Sequence, residues 1–185
     1  MPDGIPYDPT DHLFLWMLAD PKGPAPIGEI SLMKNGHGVA LRYGRDWLKH
    51  GFALSDDLPL TDQLFLPARD RDAIGAVDDA RPGRWGERVI REFESSPRTS
   101  VLEVLLFAAA DRFGALGVSQ RADNYIPWAA TPIPTLGDLS TMQEAVCKLL
   151  FNDAVGEVGQ PLLQPGVGLG GARPKSLIGI GCQPW

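Results

Sequence analysis

The sequence predicts an α+β fold, in which an N-terminal antiparallel β meander packs with helices and a smaller unit follows. Short apolar segments separated by turn residues open the chain, and segments with helical periodicity and capping residues come next. A proline-rich stretch at residues 122–137 then precedes one more helix and a glycine-rich loop. The chain has 185 residues, so we expect two subdomains, residues 13–121 and 138–185, that share an interface.

Three strands are predicted from apolar runs that are bounded by turn signals. Residues 13–19 form a compact apolar run, residues 27–32 are predicted to pair with it, and residues 39–43 supply the third strand. Asn35-Gly36 tolerates the positive φ values of a tight hairpin, so it is predicted to join the second and third strands. We expect residues 1–12 to form a loose lead-in.

Helices are predicted after the meander from periodicity and glycine stops. Residues 45–50 are predicted to form one or two helical turns that end at Gly51, whereas residues 61–80 show no regular pattern. An amphipathic helix is predicted from Pro82, because four apolar residues fall on one helical face. These four residues are Trp85, Val89, Ile90 and Phe93.

A central buried helix is predicted from a capping box. Ser100 and Glu103 have the capping-box spacing, and residues 104–110 are apolar on all sides. Gly114 follows that helix, and residues 115–119 are predicted to form a short strand.

The last predicted helix follows the proline-rich linker. Thr141 and Glu144 are predicted to cap it, and Asn152 and Gly156 are predicted to end it. Its apolar face is predicted to contain Met142, Ala145, Val146, Leu149 and Leu150.

Charge argues against a direct role in nucleic-acid binding. The formal net charge is -6, whereas binding to nucleic acid relies on clustered Lys and Arg that displace counterions. Any DNA contact would therefore need a partner. Seven aspartates between residues 55 and 80 could supply a carboxylate pair, but solvated surface charge is the favoured interpretation.

Cysteine and histidine spacing favours neither a disulfide framework nor a metal site. Cys147 and Cys182 are far apart, and His12, His37 and His50 have no ligand partner at metal spacing. The N-terminal sequence lacks the pattern of a signal peptide, and no apolar run is long enough to span a membrane. We therefore expect a soluble cytoplasmic protein without a bound metal.

The glycine-rich segment at residues 166–176, GVGLGGARPKS, is the strongest candidate for a functional site. Glycines permit positive φ values, exposed N–H groups can bind an anion, and Lys175 adds a positive charge. The segment matches GxGxxG, but a dinucleotide site needs a strand before the loop and a helix after it. Here residues 160–165 contain two prolines, and residues 176–180 are predicted to form a strand.

A Walker loop is also disfavoured, because Pro174 directly precedes the lysine and has no N–H. A glycine-rich loop that runs into a strand is the arrangement with which protein kinases cover the phosphates of ATP. A plain glycine turn remains the alternative on the evidence of this segment alone.

Three phrases in order resemble motifs of the HipA family of serine/threonine kinase toxins. They are DARPGRWGER at residues 79–88, DRFGALG at residues 111–117 and GGARPK at residues 170–175. The resemblance runs from about Leu13 to the last residue. It implies a toxin of a type II toxin–antitoxin system that uses ATP and Mg²⁺ to phosphorylate a hydroxyl on a protein substrate. In the best-known members that substrate is an aminoacyl-tRNA synthetase.

The resemblance also implies a site and a partner. Residues 138–185 would begin a kinase-like N-lobe, and a HipB-like helix-turn-helix antitoxin would bind the kinase and carry the DNA contact. By match to the family loop, the ATP phosphates would be lined by Gly170, Gly171, Ala172, Arg173, Pro174 and Lys175.

The sequence departs from the family pattern in two ways. Gly168 stands where many members have an autophosphorylated serine. In addition, the N-lobe lysine, the catalytic aspartate with its asparagine, and the Mg²⁺-binding aspartate of the family do not occur before Trp185. Because phosphoryl transfer depends on such positioned groups, we expect this chain alone neither to catalyse nor to bind ATP.

Three hypotheses follow. The first is that these residues are the truncated N-terminal part of a HipA-like kinase. The second is a stand-alone interaction module, because the family includes three-gene systems in which a small protein similar to the N-terminal subdomain is the antitoxin of a separate, short kinase. The third, an isolated nucleotide-binding protein, is disfavoured because a single loop encloses little of a ligand.

Overall fold

The computed structural model describes residues 7–19, 23–34, 38–94, 96–108, 114–128, 133–156, 159–163 and 167–180. The predicted Asn35-Gly36 turn lies outside these residues, as do positions 111–113 of the second phrase, His37 and Cys182. Within the described residues the fold is α+β, as predicted, and its centre is one antiparallel sheet with helices packed against it.

The sheet has five strands in the order β4-β3-β2-β1-β5, and all neighbouring strands are antiparallel. The strands are β1 His12–Met17, β2 Ala25–Leu32, β3 Val39–Tyr43, β4 Leu64–Phe65 and β5 Leu116–Ser119. Leu13 pairs with Ile30, and Ile30 in turn pairs with Leu41, which confirms the predicted meander. The late strand β5 pairs with β1, so residues from both ends of the first predicted subdomain lie side by side in the sheet.

Six helices occur in the described residues. They are α1 Arg45–His50, α2 Gly75–Asp79, α3 Arg84–Phe93, α4 Val101–Phe107, α5 Leu139–Phe151 and α6 Gln160–Leu163, and a 3-10 turn at Leu136–Asp138 precedes α5. Helix α1 ends at Gly51, whose N–H donates to the carbonyl of Trp47 over 2.7 Å. Helix α3 buries Trp85, Val89 and Ile90, so its amphipathic prediction is confirmed.

The interpretation of residues 61–80 as irregular is wrong at two places. Strand β4 pairs with β3 through Leu41 and Phe65, and α2 forms a short helix around the buried Val77. These elements have only two and five residues, which is too short for hydrophobic periodicity to distinguish them from a loop. Tertiary contacts therefore determine both of them.

Helix α5 begins earlier than predicted. It starts at Leu139, after a capping box in which the N–H and the hydroxyl of Thr135 donate to the Asp138 carboxylate over 2.7 and 2.8 Å. Two separate sequences, at residues 135–138 and 141–144, have the capping-box spacing, and the structure uses the earlier one, where the 3-10 turn leads into the helix. The prediction that Thr141 caps the helix is therefore wrong.

The predicted apolar face of α5 is partly confirmed. Met142, Ala145 and Leu149 are buried, whereas Val146 is half-buried. Leu150 is exposed, against the prediction, because it lies about 100° around the helix from Leu149 and falls outside the narrow buried stripe.

The hydrophobic core joins the sheet to the helices. Side chains of β1, β2 and β3 meet α4, of which every residue from Leu102 to Phe107 is buried. The same cluster continues into residues of the second predicted subdomain, namely Ala145, Leu149, Val155, Leu163 and Val167. Trp128, which belongs to the proline-rich stretch, packs on Phe107 and Tyr7 with ring centroids 5.0 and 5.3 Å apart.

A buried carboxylate, Glu103, connects the N-terminal segment to α4. It is fully buried and accepts hydrogen bonds from the Tyr7 hydroxyl at 3.0 Å, the Ser100 N–H at 2.8 Å and the Arg98 guanidinium at 2.9 Å. Arg98 also pairs with Asp11 over 2.6 Å. Burial by itself would raise the pKa of Glu103, but these donors outweigh burial and hold its pKa below the ordinary range. The predicted capping box is thus confirmed and is part of a larger network.

Candidate functional site

The glycine-rich loop lies against the N-terminal end of α3. Val167 and Gly168 are buried, whereas residues 171–175 are exposed. Trp85 contacts the loop at two points, since its backbone N–H donates to the Gly171 carbonyl at 3.1 Å and its indole Nε1–H donates to the Lys175 carbonyl at 2.9 Å. The first and third phrases of the sequence are therefore in direct contact.

Two glycines at the start of α3 leave room for this loop. A Cβ atom on Gly83 would lie 2.3 Å from the backbone nitrogen of Gly171, and one on Gly86 would lie 2.1 Å from the carbonyl oxygen of Val167. Both distances are far below van der Waals contact and involve backbone atoms. Any side chain at either position would displace the loop from α3.

The loop itself requires its glycine pair. Gly170 and Gly171 have φ values of 68° and 81°, in the left-handed region that glycine adopts without steric cost. The Lys175 side chain turns back over this pair, and its Nζ donates to the Gly170 carbonyl. The loop is therefore a tight turn in which the Lys175 ammonium group contacts the backbone of Gly170.

The exposed side of the loop carries two positively charged side chains. Arg173 and Lys175 are both exposed, and residues 167–180 contain no Asp or Glu. Two cations without a neighbouring carboxylate in the same segment, next to backbone N–H groups, suit a phosphate or a carboxylate. Pro174 contributes no N–H, so the donors must come from the residues around it.

The predicted strand at residues 176–180 is not formed. The chain there makes one parallel bridge, between Gly179 and Thr135, and the Gly179 N–H donates to the Pro134 carbonyl over 2.7 Å. Pro134 has no N–H to return a second bond, so a ladder cannot extend along it. The Ser176 hydroxyl bonds the Leu162 carbonyl at 3.1 Å and thereby connects the end of the loop to α6.

Three residues outside the glycine-rich segment contact the loop or leave space for it, namely Gly83, Trp85 and Gly86. Nothing local to residues 82–87 indicates a contact with a segment about 90 positions later. Only the presence of both phrases in one resemblance could have suggested that they meet.

Two of the seven aspartates between residues 55 and 80 form ion pairs in the fold. Arg81 pairs with Asp72 at 2.9 Å, Asp78 at 3.0 Å and Glu87 at 2.7 Å. Asp78 is mostly shielded from solvent, so the interpretation of all seven aspartates as solvated charge is too simple. Among the described residues, no group of three or more His, Cys, Asp or Glu could hold a metal ion.

In the described part of the chain, no helix is long and apolar enough to cross a membrane. A scan against protein-family models and a search of curated proteins both found no match to this chain.

Proposed function

We propose that this chain is the N-terminal part of a HipA-like toxin of a type II toxin–antitoxin system, a serine/threonine-protein kinase, and that residues 170–175 form its ATP-phosphate loop. One observation carries the proposal, namely the contact of Trp85 with Gly171 and Lys175. Two of the three phrases on which the resemblance rests form one structural unit, although 90 positions separate Trp85 from Lys175.

The chemistry of the loop supports a phosphate ligand. The glycine pair adopts positive φ values and has no Cβ atoms, which would let the backbone approach a ligand closely, and Arg173 and Lys175 supply positive charge. Mg·ATP would supply the phosphoryl group for the transfer, and Arg173 and Lys175 would hold its phosphates. Because residues 167–180 contain no carboxylate, the protein ligands of Mg²⁺ would lie outside this loop.

The remaining parts of the proposal follow the resemblance. A protein hydroxyl would be the acceptor, an aminoacyl-tRNA synthetase is the candidate substrate, and a HipB-like antitoxin is the candidate partner. The second subdomain, residues 138–185, would begin a kinase-like N-lobe.

The test uses the product of the whole reading frame that contains these residues. It is incubated with Mg·ATP carrying a labelled γ-phosphate and with cell extract, and labelled proteins are identified. We expect transfer to a protein, and we expect Lys175→Ala to lower kcat/KM roughly tenfold or more, because a charge-assisted phosphate contact is lost.

Lys49→Ala is the matched control, because Lys49 is an exposed lysine on α1 whose nearest carboxylate, Asp46, lies 3.8 Å away. We expect it to leave transfer unchanged. A reading-frame product that neither binds Mg·ATP nor labels any protein would overturn the proposal. Calorimetry of the 185-residue chain with Mg·ATP is expected to show no measurable heat.

A second candidate function is an interaction module that binds a separate kinase chain. It is favoured by an apolar patch around the Thr135–Gly179 bridge, where Ile133, Leu136 and Ile180 are 55%, 56% and 72% exposed. Such clustered apolar side chains commonly mark protein contacts. Capture and neutralisation of a kinase encoded next to this chain would support this function, and failure of both would exclude it.

A further inference from the structure

We propose that the start of α3, residues 82–87, is a positioning element of the phosphate loop. Trp85 holds the loop so that the N–H of Ala172 faces its exposed side, and Gly83 provides the space that the loop needs. This inference rests on the proposed function and adds residues to the site that lie outside the glycine-rich segment.

The hydrogen bond from Trp85 fixes the direction of one peptide group in the loop. The Gly171 carbonyl accepts from the Trp85 N–H, so it faces α3. In a trans peptide the C=O and the next N–H point in opposite directions. The N–H of Ala172 therefore points away from α3, towards the exposed side of the loop where Arg173 and Lys175 lie.

The exposed segment at residues 172–174 is held at both of its ends. Trp85 contacts the loop at Gly171 through its backbone and at Lys175 through its indole, so residues 172–174 lie between two fixed points. The Trp85 side chain is only 3% exposed, and it has few ways to move without breaking the core around it. One buried residue thus fixes both ends of the segment that would meet a phosphate.

The loop, and not the helix, requires a glycine at position 83. The φ of Gly83 is -69°, which any residue can adopt, so the backbone of the helix start does not require glycine. What requires glycine is the loop, because a Cβ atom would lie 2.3 Å from the Gly171 nitrogen. The Gly83→Ala change should therefore disturb the loop but not α3, because alanine can adopt the backbone angles found at position 83.

The experiment compares Gly83→Ala and Trp85→Phe with the unaltered chain. Trypsin cleavage between Lys175 and Ser176 reports local opening, because the carbonyl of that peptide bond is the one that the Trp85 indole holds. We expect cleavage roughly fivefold faster in Trp85→Phe, which loses one hydrogen bond, and at least about fivefold faster in Gly83→Ala, whose methyl must displace the loop backbone. In these two variants, cleavage after Lys49 in α1 serves as the internal reference and should not change.

Two matched controls separate this effect from general disturbance. Trp47→Phe also removes an indole hydrogen bond to a backbone carbonyl, that of Phe52 at 3.0 Å. Gly137→Ala adds a Cβ whose nearest neighbour is the Thr135 hydroxyl oxygen at 3.6 Å. Neither variant should alter cleavage after Lys175.

A second readout uses phosphoryl transfer by the reading-frame product. We expect Gly83→Ala and Trp85→Phe to raise KM for ATP about threefold to tenfold with a smaller effect on kcat, because a loosened loop weakens ligand binding. Unchanged cleavage after Lys175 in both variants would overturn the inference, and so would an unchanged KM. If the unaltered product transfers no phosphate, the proposed function fails, whereas the cleavage result still decides whether α3 holds the loop.

Discussion

A Cβ atom built on Gly86 would lie 2.1 Å from the carbonyl oxygen of Val167, so the backbones of α3 and of the segment before the glycine pair approach each other closely at this point. This close approach explains why a glycine occupies the interior of a helix, where it is normally unfavourable.

Gly86→Ala should therefore destabilise the protein. Helix propensity alone favours alanine by about 1 kcal/mol, but the added methyl must displace Val167, and overpacking of this kind costs about 1–3 kcal/mol. Urea denaturation followed by circular dichroism measures the difference. Gly137→Ala is the control, because its Cβ would make only an ordinary van der Waals contact, with the Thr135 hydroxyl oxygen at 3.6 Å. A Gly86→Ala variant as stable as the unaltered chain would contradict the close contact.

Glu103→Gln should lower stability by about 2–4 kcal/mol, because it removes the buried charge that pairs with Arg98 and leaves Arg98 only the exposed Asp11 as a carboxylate partner. Thermal and urea unfolding measure this loss. Glu144→Gln is the control, since Glu144 is an exposed partner of Lys148 and should have little effect. Equal stability of the two variants would argue against the network.

Glu103 should also make stability depend on acid pH. Its pKa is lowered in the folded protein from an ordinary 4.5, so its contribution is present above that value and is lost as the pH falls through the folded pKa. Unfolding free energies of the unaltered chain and of Glu103→Gln should therefore differ most near neutral pH and converge at low pH. Parallel curves down to about pH 3 would exclude this role.

Arg88→Met should loosen the junction between α3 and α5. The Arg88 guanidinium donates to the Leu149 carbonyl, to the Leu150 carbonyl at 3.3 Å and to the Asn152 side-chain oxygen at 2.8 Å, at the end of α5 where carbonyls lack helical partners. We expect a loss of about 1–2 kcal/mol, measured by urea unfolding. Arg84→Met, on the exposed side of α3, is the control and should be nearly neutral.

Local sequence patterns were sufficient to predict an element when the residues that specify it lie within that element. The alternation of apolar segments and turns predicted β1, β2 and β3, and the spacing of Trp85, Val89 and Ile90 predicted the buried face of α3. The capping box of Ser100 and Glu103 also follows from spacing alone, because both partners lie within one helical turn.

Local patterns did not predict the structure correctly where it depends on a neighbouring segment of the chain. Residues 176–180 have strand-like composition, but their neighbour is Pro134, which offers no N–H for a ladder. The start of α5 depended on a choice between two capping sequences, which the 3-10 turn at Leu136–Asp138 decided.

By itself, therefore, the sequence determined the α+β class, the central meander and the glycine pair that makes a tight loop possible, since these depend on periodicity and on allowed backbone angles. Only the tertiary structure decided that the loop packs on α3, with Trp85 joined to Gly171 and Lys175 and with Gly83 and Gly86 leaving space. The physical reason is that a contact between segments about 90 residues apart depends on shape and on paired backbone groups, which leave no periodic signal in either segment.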